Sequence, residues 1–383
     1  MLVAWLSAVA VVGSACGHNG PVTVALAKLG RGEGLLNLVA YAGYAEDGTN
    51  DARFDWVHPF EKATGCQVTV KYANTSDEVV GLLRQGNGSV FDGGSVSGDA
   101  VGRLIDRGVV APLNSSLLAG RRDLLQPFQD PSFDSEGGRL YGVPFLYGPN
   151  YLLFNPARVA SPLSWTPTWV AGSAYQGKVT AFGQPVFIAD AALYLMAHRP
   201  SLGITDPYEL TSGQLDAAVG LLRQQTSILG KRWQTVPDEA GLFASGDAVI
   251  GVGRALTASL AGSAKLQIGT PIEGMTGWVD SWMLAAHAAH PICMYHWIQW
   301  STAPQVEAQI AAYQLGWPAN GRACPDLQRL VGVGSGEGAE CGNDGLLLSL
   351  HLWKTPSTDC GDGRTDCTDY AAWSRAFGSV PSS

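Results

Sequence analysis

Along the chain, short apolar runs alternate with stretches whose apolar residues recur every three or four positions. Residues 35–42 form a mostly apolar run bounded by glycines, as in a parallel strand buried on both faces. Residues 54–64 read as a helix ending before Gly65, with Pro59 delaying its start. Residues 67–72 alternate apolar and polar like a strand. Ser76 can cap a helix presenting Val79, Val80, Leu82 and Leu83, closed by Gly86. Ser97 can cap another, with Val101, Leu104 and Ile105 inward and Gly108 at its end.

The same grammar resumes further on. Residues 178–182 predict a strand and 188–197 a helix, and Thr211 to Gln214 has the spacing of a capping box. That box opens a helix with Leu215, Ala218, Val219 and Leu222 on one side. Residues 248–253 and 282–286 read as short strands, and Pro291 suits the first position of a helix reaching Trp300. Alternating β and α elements predict open, doubly wound sheets, whose ligands sit at the carboxyl ends of the strands.

Composition narrows the class. The chain has 383 residues, enough for two domains, with 46 % hydrophobic and only 15 % charged residues. With 48 Gly and 21 Pro it is neither a coiled coil nor a solvated disordered chain. A net charge of −9 argues against a nucleic-acid binder, which needs a clustered basic face.

The first fifteen residues are uncharged and mostly apolar, and end in Gly13-Ser14-Ala15 before Cys16. They are too short to span a bilayer, so residues 1–15 read as a signal peptide. Small residues before a cysteine resemble a bacterial lipoprotein cleavage site, with Cys16 the lipidated terminus. Gly13 stands where such sites carry an aliphatic residue, and no basic n-region precedes it. Residues 16–34 then form a glycine-containing leader, expected to be a flexible tether.

Export also suits the cysteines. Besides Cys16 there are six: Cys66, Cys293, Cys324, Cys341, Cys360 and Cys367. An even number in an exported chain suggests disulfides, although six cysteines allow fifteen pairings. Cys360–Cys367 and Cys324–Cys341 are the local choices, leaving Cys66 with Cys293. No pair has the spacing of a structural zinc site.

The chemistry-bearing motifs are mostly negative. No Walker A loop, nucleophile elbow, H-E-x-x-H or dinucleotide fingerprint occurs, so no cofactor is expected. His287, His290, Cys293 and His296 recur every third residue, but Pro291 breaks the register and steps of three drift around a helix. Surface histidines at a helix start are the expectation there. The glycine-rich run 332–338 lacks a P-loop lysine and reads as a loop between cysteines.

Aromatic residues carry more. Tyr41 and Tyr44 lie at and just past a strand end, and Trp278 and Trp317 lie beside glycines at expected turns. Rings with nearby carboxylates suit an organic cation: ring faces attract it and carboxylates neutralise it.

These residues carry a family resemblance. The chain from Leu35 onward resembles an extracellular solute-binding protein of a bacterial ABC importer, notably the spermidine/putrescine-binding proteins. The resemblance rests on Val39 to Tyr44, Phe91 to Gly108, Ile188 to Tyr194, and Gly277-Trp278-Val279-Asp280-Ser281, with Gly316-Trp317-Pro318 and Leu352-Trp353-Lys354 as weaker landmarks. It implies a periplasmic-binding-protein type II fold: an α/β chain of two interleaved lobes, with a hinge and a central ligand cleft. Lobe one would hold residues 35–147 and 279–323, and lobe two 148–278 and 324–383. It implies Trp278 as the stacking ring and Asp280 as the amine partner, with Tyr44, Ser97 and Asp190 around them, Tyr41 where the family has a stacking tryptophan, Asp99 where a tyrosine is common, and Trp317 nearby. It also implies a membrane permease as partner, a monomeric protein and a location outside the cytoplasm.

Two departures from the family pattern matter most. Arg254 follows the strand at 248–253 where polyamine binders place a tryptophan, and Lys354 lies near a family glutamine. A guanidinium facing a polyamine would repel it by on the order of a few kcal/mol in a screened site. Either Arg254 points away, or the ligand carries an anionic or accepting group, as an amino acid does. The alternatives are therefore an anionic or amino-acid-like ligand held by Arg254 and Lys354, or an exported hydrolase pairing Asp280 with Asp190.

Overall fold

The computed structural model describes residues 25–170, 174–332, 338 and 340–381. The expected signal peptide, Cys16 and most of the 332–338 loop lie outside the described residues. Lobe one opens with β1 (Leu35–Tyr41), β2 (Gln67–Ala73) and β3 (Gly93–Ser97). A small hairpin, β4 (Ser135–Glu136) with β5 (Arg139–Leu140), precedes β6 (Gly142–Pro149). The chain then crosses into a second sheet of β7 (Tyr151–Phe154), β8 (Val179–Phe182), β9 (Leu229–Trp233), β10 (Ile250–Gly253) and β11 (Gln267–Gly269). It returns through β12 (Met275–Leu284), β13 (Trp317–Pro318) and β14 (Leu350–Leu352).

The first sheet runs β13-β6-β12-β3-β1-β2, with β14 also beside β12, and the second runs β11-β7-β10-β8-β9. Strands β1, β2 and β3 are parallel, as the doubly wound expectation requires, but β12 is antiparallel to both β3 and β6. The second sheet is mixed too, with β7 antiparallel to β10 and β11 while β8 is parallel to β10 and β9. The crossings at Asn150 and between β11 and β12 lie a few residues from the expected borders. Helix Cys324–Val331, expected in lobe two, packs against helix Pro304–Gln314 beside the first sheet.

Local signals explain most elements. The helix expected from residue 54 is Val57–Thr64, so Pro59 falls in its first turn, where a missing N–H costs nothing. The Thr211 capping box is present, and Pro291 opens helix Pro291–Ser301. Two caps differ from expectation. Thr75, not Ser76, accepts the Glu78 N–H, and Ser97 stands at the N-cap without capping. Both serine hydroxyls are used elsewhere. The strand expected at 282–286 begins at Met275, because Thr276, Asp280 and Ser281 break an apolar run whose every residue is buried.

The three disulfides are Cys66–Cys293, Cys324–Cys341 and Cys360–Cys367. Of the expected leader, residues 25–34 run along lobe one: the Glu33 carboxylate accepts the Ile292 and Cys293 N–H groups, both at 2.9 Å. Gly32 lies on the Cys66–Cys293 bridge, where a Cβ would come within 2.4 Å of sulfur.

Candidate functional site

The lobe-one wall is built on strand ends. Asp280 lies opposite Ser97 across the β12–β3 ladder, next to a bulge in the β12–β6 pairing between Asp280 and Ser281. Bulges re-aim side chains. The Ser97 hydroxyl donates to Oδ1 of Asp280, and the Tyr44 hydroxyl donates to Oδ2. Tyr44 reaches it because the chain turns sharply after β1. Its N–H bonds the Tyr41 carbonyl at 3.3 Å, and Gly43 at the corner has φ +87°, a conformation glycine adopts without strain. The Tyr44 ring stands edge-on to Phe145, with centroids 5.0 Å apart.

Asp99 stands one hydroxyl further back. Its Oδ1 accepts from Ser76 at 2.8 Å, and Ser76 Oγ is 3.3 Å from the Tyr41 hydroxyl. Tyr41 thus lies between two carboxylates. Burial pushes the Asp99 carboxyl up to about 7, against the pull of Arg103 and Ser76. Burial likewise raises Asp280, while the Arg254 charge and its two hydroxyl donors hold it down. Burial and the Asp280 charge raise the Tyr44 phenol, which stays a donor.

Opposite this wall stands Arg254, the residue directly after β10. Its guanidinium carbon lies 4.5 Å from the centroid of the Trp278 ring and 5.8 Å from that of Trp353. Nε is buried without a partner, and among the described residues Arg254 has no ion pair. The Trp278 ring is confined from behind: a Cβ on Gly148 or on Gly316 would approach it to 2.8 Å. Trp353 is stacked on Phe182, with rings 5.7 Å apart and 10° from parallel. Behind Arg254, Glu239 is buried and accepts the Thr257 hydroxyl at 2.6 Å. Burial pushes its carboxyl well up.

Tyr41, Tyr44, Ser97, Arg254, Trp278 and Asp280 therefore gather at one place, with Asp99 just behind. Trp278 lies within buried β12, as Asp280 does, and Trp317 lies in β13, so neither tryptophan stands at the expected turn. The other expected residues have different partners. Trp317 is buried and packs edge-on against Tyr147 at 5.5 Å, in lobe-one core. Asp190 accepts the Thr276 hydroxyl at 2.8 Å, and Thr276 in turn accepts from Asn150, so this acid ties a lobe-two helix to both crossing strands. Burial raises it to about 7. Lys354 is ion-paired with Asp206 and Glu209 and does not stack with Arg254; its neighbour Trp353 does. Cys293 is in a disulfide, His290 bonds Asp92 and His296 bonds the Gly30 carbonyl, so the histidine run is divided among structural partners.

Trp353 and Ser76 were not legible as site residues. Leu352-Trp353-Lys354 reads only as a weaker family landmark, and Ser76 reads as a helix cap.

Two α/β lobes joined by crossing strands, with charged and aromatic groups from both meeting at strand carboxyl ends, define a two-lobe binding protein. The chain belongs to the family of bacterial extracellular solute-binding proteins, whose family model matches residues 55–326. Its fold is the periplasmic-binding-protein type II arrangement. It resembles the spermidine/putrescine ABC transporter substrate-binding protein PotD from Streptococcus pneumoniae at 18 % identity, covering 90 % of this chain and 97 % of that one, with TM-score 0.66. It resembles MotA from A. tumefaciens B6 in complex with glucopine at 16 % identity, covering 90 % and 99 %, with TM-score 0.67. The Atu4243-GABA receptor is similar at 20 % identity, covering 83 % and 91 %, with TM-score 0.62.

Proposed function

We propose that this protein is the solute-capture component of an ABC importer, and that its solute is a small zwitterion: an amine that also carries a carboxylate. The observation carrying this reading is Arg254, a guanidinium stacked on Trp278 with Nε buried and unpartnered. In a polyamine site that ring face would receive the ligand's ammonium. Here a protein cation covers it, and a second cation brought there is repelled. A carboxylate, by contrast, takes charge-assisted hydrogen bonds from a guanidinium, in bidentate fashion where geometry allows. Asp280 is the complementary group: each oxygen already accepts one hydroxyl, and a carboxylate has lone pairs left for an ammonium. The similar structures include one named for spermidine/putrescine, one in complex with glucopine and one named as a GABA receptor, so the fold accommodates this solute range.

By the same reading the protein acts as a monomer outside the cytoplasm, anchored through a lipid on Cys16, and passes its solute to a membrane permease. Radiolabelled palmitate incorporated by the wild type and lost in Cys16→Ala checks the anchor.

Calorimetric titration with α-amino acids, γ-aminobutyrate, betaines, putrescine and spermidine tests the solute class. At least one zwitterion is expected to bind, with affinity falling about 100-fold in Arg254→Met and in Asp280→Asn. Preference for a polyamine over every zwitterion, unimpaired by Arg254→Met, would refute the reading.

A further inference from the structure

The lobes also meet where the C-terminal segment passes between them. Helix Tyr370–Gly378 belongs to lobe two: it packs against helix Ser212–Gln225 and the turn Pro185–Phe187, with Trp373 fully buried. The segment leading to it is anchored there too. Lys354 is ion-paired with Asp206 and Glu209, and the Thr368 N–H and hydroxyl both donate to the Leu210 carbonyl at 2.8 Å.

Lobe one grips this segment at two levels of helix Gly98–Ile105. Thr355 Oγ1 accepts the Gly102 N–H at 3.0 Å and donates to the Gly98 carbonyl at 3.1 Å. Glycine is needed for that approach: a Cβ on Gly98 would lie 2.0 Å from the Trp353 carbonyl oxygen. One residue beyond Gly102, the Arg103 guanidinium lies 3.9 Å from the centroid of the Tyr370 ring. Asp77, on helix Ser76–Leu83, accepts from Arg103 at 2.6 Å and from the Tyr370 hydroxyl at 3.3 Å.

We propose that Asp77, Arg103 and Tyr370 form an interlobe clasp that holds the closed arrangement, with Thr355 seating the C-terminal segment as a strap across the two lobes. The two lobe-one members sit on neighbouring helices, and Tyr370 sits on the other lobe, so the three-way contact exists only while the lobes are together. A contact made in one state alone shifts the equilibrium toward that state. The Arg103–Tyr370 stack is largely desolvated, with 12 % of the arginine side chain and 9 % of Tyr370 exposed, which strengthens a cation–π pair. The strap also adjoins the solute site at both ends of its grip. Helix Gly98–Ile105 starts directly after Ser97, which donates to Asp280, and Trp353, two residues before Thr355, faces Arg254. The proposal does not depend on which solute is bound.

Single-molecule energy transfer between dyes on S89C and S245C, exposed positions on opposite lobes, reads the closed-to-open ratio of the full chain without added solute. Tyr370→Ala and Arg103→Met are each expected to lower that ratio about tenfold. Tyr370→Phe, which keeps the ring, is expected to lower it only two- to threefold. Melting curves verify the fold; should Tyr370→Ala fail to fold, Arg103→Met leaves the C-terminal helix intact and decides alone. An unchanged ratio in a folded Arg103→Met protein overturns the clasp. Equal losses in Tyr370→Phe and Tyr370→Ala would overturn the ring's part in it.

Discussion

Adding one methyl group at Gly148 should disable the solute site from behind. Gly148 is paired with Trp278 in the β6–β12 ladder, and a Cβ there would lie 2.8 Å from Cζ2, 3.0 Å from Cε2 and 3.1 Å from Nε1 of the indole. Carbon atoms in contact prefer about 3.5–4.0 Å, so the ring must retreat by roughly 0.7–1.2 Å. Gly316 abuts the adjoining Cη2–Cζ2 edge of the same ring, which leaves the indole little room to slide in that direction. A ring pushed off Gly148 disturbs its stack with Arg254, whose guanidinium carbon is 4.5 Å from the ring centroid. Overpacking of this kind costs about 1–3 kcal/mol of stability. Displacing the ring and guanidinium together loses the stacking geometry, about 1–2 kcal/mol of binding or roughly a five- to thirtyfold weaker solute. Gly220→Ala is the control: nothing lies within 4 Å of its Cβ position, and it occupies the interior of a helix where alanine is preferred. Chemical denaturation and calorimetry on both variants read the two effects. Gly148→Ala with unchanged stability and affinity would show that the indole is not confined, and would remove the steric argument for Arg254 as its fixed partner.

Two further outcomes follow from buried groups. Burial raises the Asp99, Asp134 and Asp190 carboxyls each to about 7 in the folded chain, above their unfolded values. The folded state therefore holds more protons than the unfolded state between about pH 4 and 7, so stability should fall with rising pH across that window and level off above it. Urea titrations at pH 5 and 8 measure the difference, which should shrink in Asp134→Asn; a flat profile in the wild type would contradict the assignment. The Cys66–Cys293 bridge closes a loop with a sequence separation of 227, and chain entropy assigns it about 5 kcal/mol. The double variant Cys66→Ala/Cys293→Ala should lower the urea midpoint in proportion, whereas a loss below about 1 kcal/mol would mean that the unfolded chain is little constrained by it.

Much of the architecture was legible residue by residue. The glycine-bounded run after residue 34, the Thr211 capping box and Pro291 each act through local backbone chemistry, so each predicts its own element. The local disulfide choices left Cys66 and Cys293 to pair, as they do. β12 was read short because a central strand may carry polar residues when its neighbours supply their hydrogen bonds, and those neighbours are remote in sequence. Ser97 shows the same limit: its spacing marks a helix start, but the hydroxyl goes to Asp280, 183 residues away.

The sequence by itself determined which chemical groups the site could draw on: tyrosines at a strand end, tryptophan and aspartate two residues apart, and an arginine directly after a strand. Tertiary structure alone decided their use. It turned Arg254 onto Trp278, sent Asp190 to the crossing strands and bound Lys354 to Asp206 and Glu209. The physical reason is that a charge has no fixed meaning until its surroundings are known. The same formal charge on an arginine or a lysine is a recognition group when it stacks on an aromatic face with no direct ion pair, and a structural tie when two carboxylates already hold it.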